Sequence, residues 1–213
     1  MALEDPGFVA VLAEYNERLA REDPIVHDPQ ALQAADVNDL LIPVGEDVGR
    51  LMHALVVGLG AHIIVELGTS YGYSTLFLAD AAKATGGKVY SYDVAANKQA
   101  YARERLQLAG LSDYVEFRLG DAVELLEGQP GPVDFVLMDL WKDLYVPCLH
   151  RVAPLLGPSG TILADNMTFP PQARKDAEAY RAAVRATPGM LSTLLPIGNG
   201  IDIAVKQDFL SDS

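Results

Sequence analysis

The chain is poor in the residues of covalent and soft-metal chemistry. Its 213 residues include one cysteine, Cys148, and four histidines. A single cysteine excludes an internal disulfide and suits a reducing, cytoplasmic setting. With Val146 and Leu149 beside it, Cys148 reads as a buried thiol rather than a nucleophile. His27, His53, His62 and His150 show no metal-ligand spacing. Positive charge is also scarce: 16 Lys and Arg stand against 29 Asp and Glu, a formal net charge of −13. Such a surface repels phosphate backbones and anionic membrane surfaces, so nucleic acid and membrane are excluded as partners. No apolar run approaches the length of a membrane span. The opening Met1-Ala-Leu-Glu-Asp-Pro6 lacks the basic-then-apolar pattern of a leader. Repeats and low-complexity segments are absent. So are G-x-G-x-x-G and G-K-[ST], which counts against dinucleotide and P-loop readings.

What is present is a large apolar fraction, 50% of the residues, distributed in two regimes. Up to about residue 60 the periodicity is helical. Asp5-Pro6 is a helix start, followed by Phe8, Leu12, Tyr15 and Leu19, with Pro24 as its end. Asp28-Pro29 repeats the signal for a short second helix. Val37 to Pro43 reads as a loop, and Val44 to Leu59 as a third helix closed by Gly58 and Gly60. From His62 strands and helices alternate. The expected strands are 62–67, 88–93, 115–119, 133–139 and 161–165, separated by helices, with a further helix over 172–186. A last pair, 191–197 and 201–206, is joined by Gly198-Asn-Gly200, a hairpin signal. The pattern predicts an α/β fold, a Rossmann-like doubly wound sheet of seven strands. It is mostly parallel, with an antiparallel C-terminal hairpin strand. We expect a single domain over 1–213: a helical segment (1–60) and the Rossmann-like core (61–206).

Two features carry chemistry. The turn Glu66-Leu-Gly68-Thr-Ser70-Tyr-Gly72-Tyr73-Ser74 joins a strand to a helix, and its glycines admit a ligand close to the backbone. Glu66 would repel a pyrophosphate and attract a cation. Asp93, ending the next strand, suits the two hydroxyls of a ribose. A ribose with a positive tail points to S-adenosylmethionine; the plainer account is a Gly-rich turn with capping acids. The second feature is a pair of apolar runs ending in polar groups, Val133 to Asp139 and Ile162 to Asp165-Asn166, with Lys142 shortly after the first. Ligands of open α/β sheets lie beyond such strand ends. Taken singly, each acid is as readily a helix N-cap. Together the set is oxygen-only, which favours Mg²⁺, with Ca²⁺ or Mn²⁺ as alternatives.

These motifs resemble the class I S-adenosylmethionine-dependent methyltransferases. More narrowly, they resemble the cation-dependent O-methyltransferases typified by catechol and caffeoyl-CoA O-methyltransferase. The likeness spans about Val44 to Lys206 and rests on Glu66 to Ser74, on Asp139-Leu-Trp-Lys142-Asp-Leu-Tyr145-Val-Pro147 and on Leu163-Ala-Asp165-Asn166. It implies Asp139, Asp165 and Asn166 as metal ligands and Lys142 as general base. Cofactor contacts are implied at Val44, Glu66, Gly68, Ser70, Tyr73, Ser74, Asp93, Ala122, Asp139 and Trp141. Trp141 is either beside the adenine or in the core. The implied acceptor is a small vicinal-dihydroxy phenol, and caffeoyl-CoA-type relatives add a homodimer. Two departures bear on the acceptor: Leu140 stands where the mammalian-type catechol enzymes carry an imidazole, and Ser192 to Ile197 lacks the acid they set against the second hydroxyl. The alternatives are a metal-independent N-methyltransferase, an NAD-type oxidoreductase and a non-catalytic nucleoside-binding protein.

Overall fold

A computed structural model describes residues 3–26 and 28–207. Met1, Ala2 and His27, which entered the sequence reading, lie outside them. The helical N-terminal part consists of α1 (Pro6–Val26), α2 (Pro29–Ala34) and α3 (Glu46–Leu59). Asp28 caps α2 by accepting from the backbone N–H groups of Gln30 and Ala31. Pro24 does not end α1, which continues to Val26. The last turn is held by Glu22, whose carboxylate takes both Arg18 and the Leu41 N–H. Val44 lies before α3, because Gly45 breaks the chain at φ 87°. Gly58 stays helical, and Gly60, at φ 60°, supplies the left-handed cap.

The alternating part runs β1 (Ile63–Leu67), α4 (Tyr73–Thr85), β2 (Lys88–Asp93), α5 (Ala96–Leu108), β3 (Val115–Leu119), α6 (Ala122–Leu125) and β4 (Val133–Met138). It continues through α7 (Tyr145–Val152), β5 (Leu156–Ala164), α8 (Arg174–Ala186), β6 (Met190–Leu195) and β7 (Ile201–Lys206). All strands join one sheet in the order β3-β2-β1-β4-β5-β7-β6. Only β7 runs against the rest, antiparallel to both β5 and β6. β5 starts at Leu156, five residues before the apolar run, with an irregular register against β4. The Gly157-Pro-Ser-Gly160 stretch reads as a turn and hides that extension. One face of the sheet packs on α1, α3 and α4 through Phe8, Val48, Met52 and Phe77, and the other on α7 and α8 through Cys148, Leu149, Tyr180 and Val184.

The strand order reverses between β1 and β4, the place where such sheets open a crevice. Register aligns the strand ends: Leu67 pairs with Tyr92 and Met138, and Met138 with Ala164. The next residue on each strand, Gly68, Asp93, Asp139 and Asp165, therefore forms one row along the carboxyl edge, with strands about 4.8 Å apart. Among the described residues no helix is long and apolar enough to cross a membrane.

Candidate active site

The turn after β1 is shaped by close approach. Gly68 sits at φ 103°, and a Cβ there would lie 2.0 Å from the Asp139 carbonyl oxygen. Only glycine lets the two strand ends meet at the switch point. The Gly68 and Thr69 N–H groups donate to the Tyr92 carbonyl. Val44, Gly68, Ser70, Tyr73, Ser74 and Asp139 line the open cleft above. The structure thus brings together six of the expected cofactor positions.

Glu66 is placed differently from its expected role. It is 0% exposed, and its carboxylate accepts from Ser74 Oγ (2.6 Å), Thr75 Oγ1 (2.7 Å) and Ser91 Oγ (2.5 Å). It lies behind the cleft and ties the turn to β2 and α4. Burial pushes its carboxyl up to about 7, against the pull of those hydroxyls. Asp93 stays at the edge: Oδ2 accepts from the Ser70 N–H (2.7 Å) and Oδ1 from the Ala95 N–H (2.8 Å). Each oxygen keeps a lone pair for a further donor. Ala122 is buried at the start of α6, outside the cleft lining. Trp141 is 64% exposed, which removes the core-packing account of it.

The row of acids converges on Lys142. Its Nζ donates to Asn166 Oδ1 (2.8 Å), Tyr145 Oη (2.5 Å) and the Leu140 carbonyl (3.2 Å), and lies 3.9 Å from Asp139 Oδ1. Asn166 takes the left-handed conformation at φ 57°, one an asparagine tolerates. Its N–H donates to Asp165 Oδ1 at 2.6 Å. Burial, then the charge of Asp139, pushes Asp165 up to about 7. Asp139 is raised by burial against the pull of Lys142. Lys142 is lowered by burial, opposed by both acids. Cys148 is buried, its thiol pushed up to about 12, as an inert core residue.

The sequence reading missed part of the site. Leu41, Ile42 and Pro43, taken for loop, line the cleft, as do Thr69 and Tyr71 on the turn. No periodicity marks such a lining. Tyr145, fully buried, donates from its hydroxyl to the Met138 carbonyl (2.9 Å) while accepting from Lys142. Its place three residues after Lys142 was the available signal.

Residues 65–167 match a family described as a methyltransferase domain. Caffeoyl-CoA O-methyltransferase 1 of Eucalyptus globulus is 28% identical over 183 residues, covering 76% of this chain and 74% of its own. A catechol O-methyltransferase of Niastella koreensis is 31% identical over 130 residues, 59% of this chain and 58% of its own. The crystal structure of an O-methyltransferase from Bacillus cereus in complex with S-adenosylhomocysteine aligns with a TM-score of 0.75 at 25% identity, over 93% of this chain and 91% of that one. The chain belongs to the class I S-adenosylmethionine-dependent O-methyltransferases. S-adenosylmethionine is its methyl donor, and the NAD-type and non-catalytic readings fall away.

Whether this O-methyltransferase suits a divalent cation can be judged from its own donor set. Among the described residues no three His, Cys, Asp or Glu gather as ligands. The set is two carboxylates and one amide oxygen, on strand ends that register places side by side. Two acids beside one lysine leave negative charge uncompensated; burial raises both carboxyls, and at Asp165 the charge of Asp139 adds to it. Hard oxygen donors with surplus negative charge fit Mg²⁺.

Proposed function

We propose that this enzyme methylates a hydroxyl of a catechol-like, vicinal-dihydroxy phenol, with Lys142 as general base and Asp139, Asp165 and Asn166 holding a divalent cation. The observation that carries the reading is the convergence of those four side chains at the switch point, where Asp139 also lines the cleft. The names of the similar proteins, caffeoyl-CoA and catechol O-methyltransferases, support the substrate class. A bound Mg²⁺, with Ca²⁺ or Mn²⁺ as alternatives, would supply Lewis acidity that lowers the pKa of a chelated hydroxyl.

Asp93 would accept the ribose hydroxyls, oriented for this by the Ser70 and Ala95 amides. Val44, Gly68, Ser70, Tyr73 and Ser74 would flank the donor, and Glu66 would act beneath them by fixing the turn. Ala122 and the exposed Trp141 would border the adenine. Lys142, lowered by burial, takes the hydroxyl proton at Nζ. The substrate oxygen then attacks the methyl carbon in line while the carbon–sulfur bond breaks and its electron pair stays on sulfur. Exposed Phe169 and buried Met167, just past Asn166, would provide an apolar wall for the ring. The exclusion of water and the alignment are the main contributions of the protein. On this reading residues 1–213 act as one methyltransferase domain.

The test is labelled S-adenosylmethionine against catechols and caffeoyl thioesters, before and after EDTA treatment, with Mg²⁺ added back. Turnover should vanish with EDTA and return with Mg²⁺; EDTA-insensitive turnover would point instead to the metal-independent alternative. Lys142→Met should lower kcat about 10²–10⁴-fold with donor affinity kept. Loss of donor binding would give Lys142 a structural role.

A further inference from the structure

Among the described residues, a partly buried ion pair on α1 contacts two chain segments that line the cleft. Arg18 and Glu22, one turn apart on α1, are joined Nε to Oε1 at 2.6 Å, with side chains only 16% and 14% exposed. From this pair contacts extend toward the cleft. Arg18 Nη2 donates to the Asp39 carbonyl at 2.7 Å, and Glu22 Oε2 accepts the Leu41 N–H at 2.7 Å. The guanidinium also lies 3.9 Å over the centre of the Tyr71 ring. Leu41 and Tyr71, far apart in the chain, both line the cleft. The Tyr71 hydroxyl reaches the Asn38 carbonyl at 3.3 Å, closing the circuit.

The lining segment needs such a hold. Ile42 has φ 35°, a conformation that a β-branched residue adopts only when its surroundings impose it. Ile42 is 48% exposed, so core packing does not impose it. The backbone groups fixed just before it, the Asp39 carbonyl and the Leu41 N–H, are those the ion pair binds. An exposed Arg–Glu pair four residues apart on a helix contributes little by itself. This one is partly buried and gives its further hydrogen bonds to the segment that lines the cleft.

We infer that Arg18 and Glu22 form a clasp that positions the 39–44 segment against the Tyr71 turn and so sets donor affinity and residence time. Neither residue touches the donor; both are positioning residues. The inference rests on the donor occupying this cleft. It is separate from the assignment of metal and base.

The experiment measures S-adenosylhomocysteine affinity by calorimetry and release by stopped flow in full-length Arg18→Met, Glu22→Ala and the double variant, with Asp93→Ala as reference. Each clasp variant should weaken binding and speed release about tenfold. The KM for S-adenosylmethionine should rise alike, and kcat at saturating donor should stay within about twofold. The double variant should be no worse than the weaker single, since the residues act as one unit. Arg18→Lys keeps the charge without the planar fork and should restore affinity only partly. Additive losses, unchanged affinity, or kcat and thermal stability falling with affinity intact would each overturn the clasp. If Asp93→Ala weakens binding and the clasp variants do not, the clasp alone fails. If Asp93→Ala also leaves binding unchanged, the location of the cleft fails with it. Should Arg18→Met not fold, Glu22→Ala, which removes the acceptor of the Leu41 N–H, carries the same expectations.

Discussion

At the scale of single residues, Glu66 shows how position in a motif and physical role diverge. The sequence places an acid before the glycine turn but does not say whether it faces ligand or core. Three hydroxyls and zero exposure answer that. Its carboxyl, ordinarily near 4.5, is raised to about 7. The folded state therefore binds this proton more tightly than the unfolded state does. Between those two values stability falls as pH rises, and above the upper one the contribution is flat, an effect of about 3 kcal/mol. In Glu66→Gln that part of the slope should disappear, so urea midpoints at pH 5 and pH 8 should lie closer together than in the parent. An undiminished slope would assign the pH dependence elsewhere. Gly68 gives a harder constraint. Gly68→Ala drives a Cβ into a backbone carbonyl at 2.0 Å in a conformation unfavourable to alanine, so a loss above about 3 kcal/mol is expected in chemical denaturation. Asp139, Asp165 and Lys142 were legible because strand ends concentrate chemistry; the partnership of Lys142 with Tyr145 was not, because it runs through a buried hydroxyl.

At the scale of elements, the pairing of α3 with α4 yields a comparison within one helix. A Cβ on Gly49 would come within 2.8 Å of the Phe77 ring, which is fully buried and stacked edge-on against Phe8 at 5.3 Å. The ring has nowhere to move. The gain in helix propensity from alanine, about 1 kcal/mol, is outweighed by overpacking of about 1–3 kcal/mol, most of it from separating α3 and α4. At Gly58 the same methyl meets nothing within 4 Å. Gly49→Ala should lower the thermal midpoint and Gly58→Ala should raise it slightly, both by calorimetry; equal signs would mean that propensity alone governs this helix. The sequence reading did not single out Gly49, and it misread Gly58 as a terminator. Helix ends depend on φ, which Gly60 carries, and composition does not report φ. The early start of β5 was hidden likewise, since a glycine- and proline-rich stretch inside a strand looks like a turn until a neighbour pairs with it.

At the scale of the whole molecule, the doubly wound, mostly parallel sheet with its antiparallel hairpin strand follows from alternation and was legible, while the order of its strands came from the structure. The placement of the N-terminal helices was not, because a helix docked on a finished sheet leaves no trace in its own period of which loop it holds. Net charge is a property of the molecule alone, and it acts on the donor. With a formal charge of −13, the protein surrounds its cleft with negative potential. S-adenosylmethionine carries net positive charge at neutral pH through its sulfonium and amino groups; S-adenosylhomocysteine, lacking the sulfonium, is a neutral zwitterion. Steering by long-range charge accelerates association of the first and not of the second. Salt shortens the reach of that field, to about 10 Å at 0.1 M. The association rate of S-adenosylmethionine should therefore fall several-fold between about 10 mM and about 200 mM NaCl, while that of S-adenosylhomocysteine stays nearly constant and both dissociation rates change little. Parallel salt dependences for the two ligands in stopped-flow binding would show that the acidic surface plays no part in capture. Divergent ones would show that the charge excess draws in the methyl donor and, being insensitive to the neutral product, leaves product release to the contacts within the cleft.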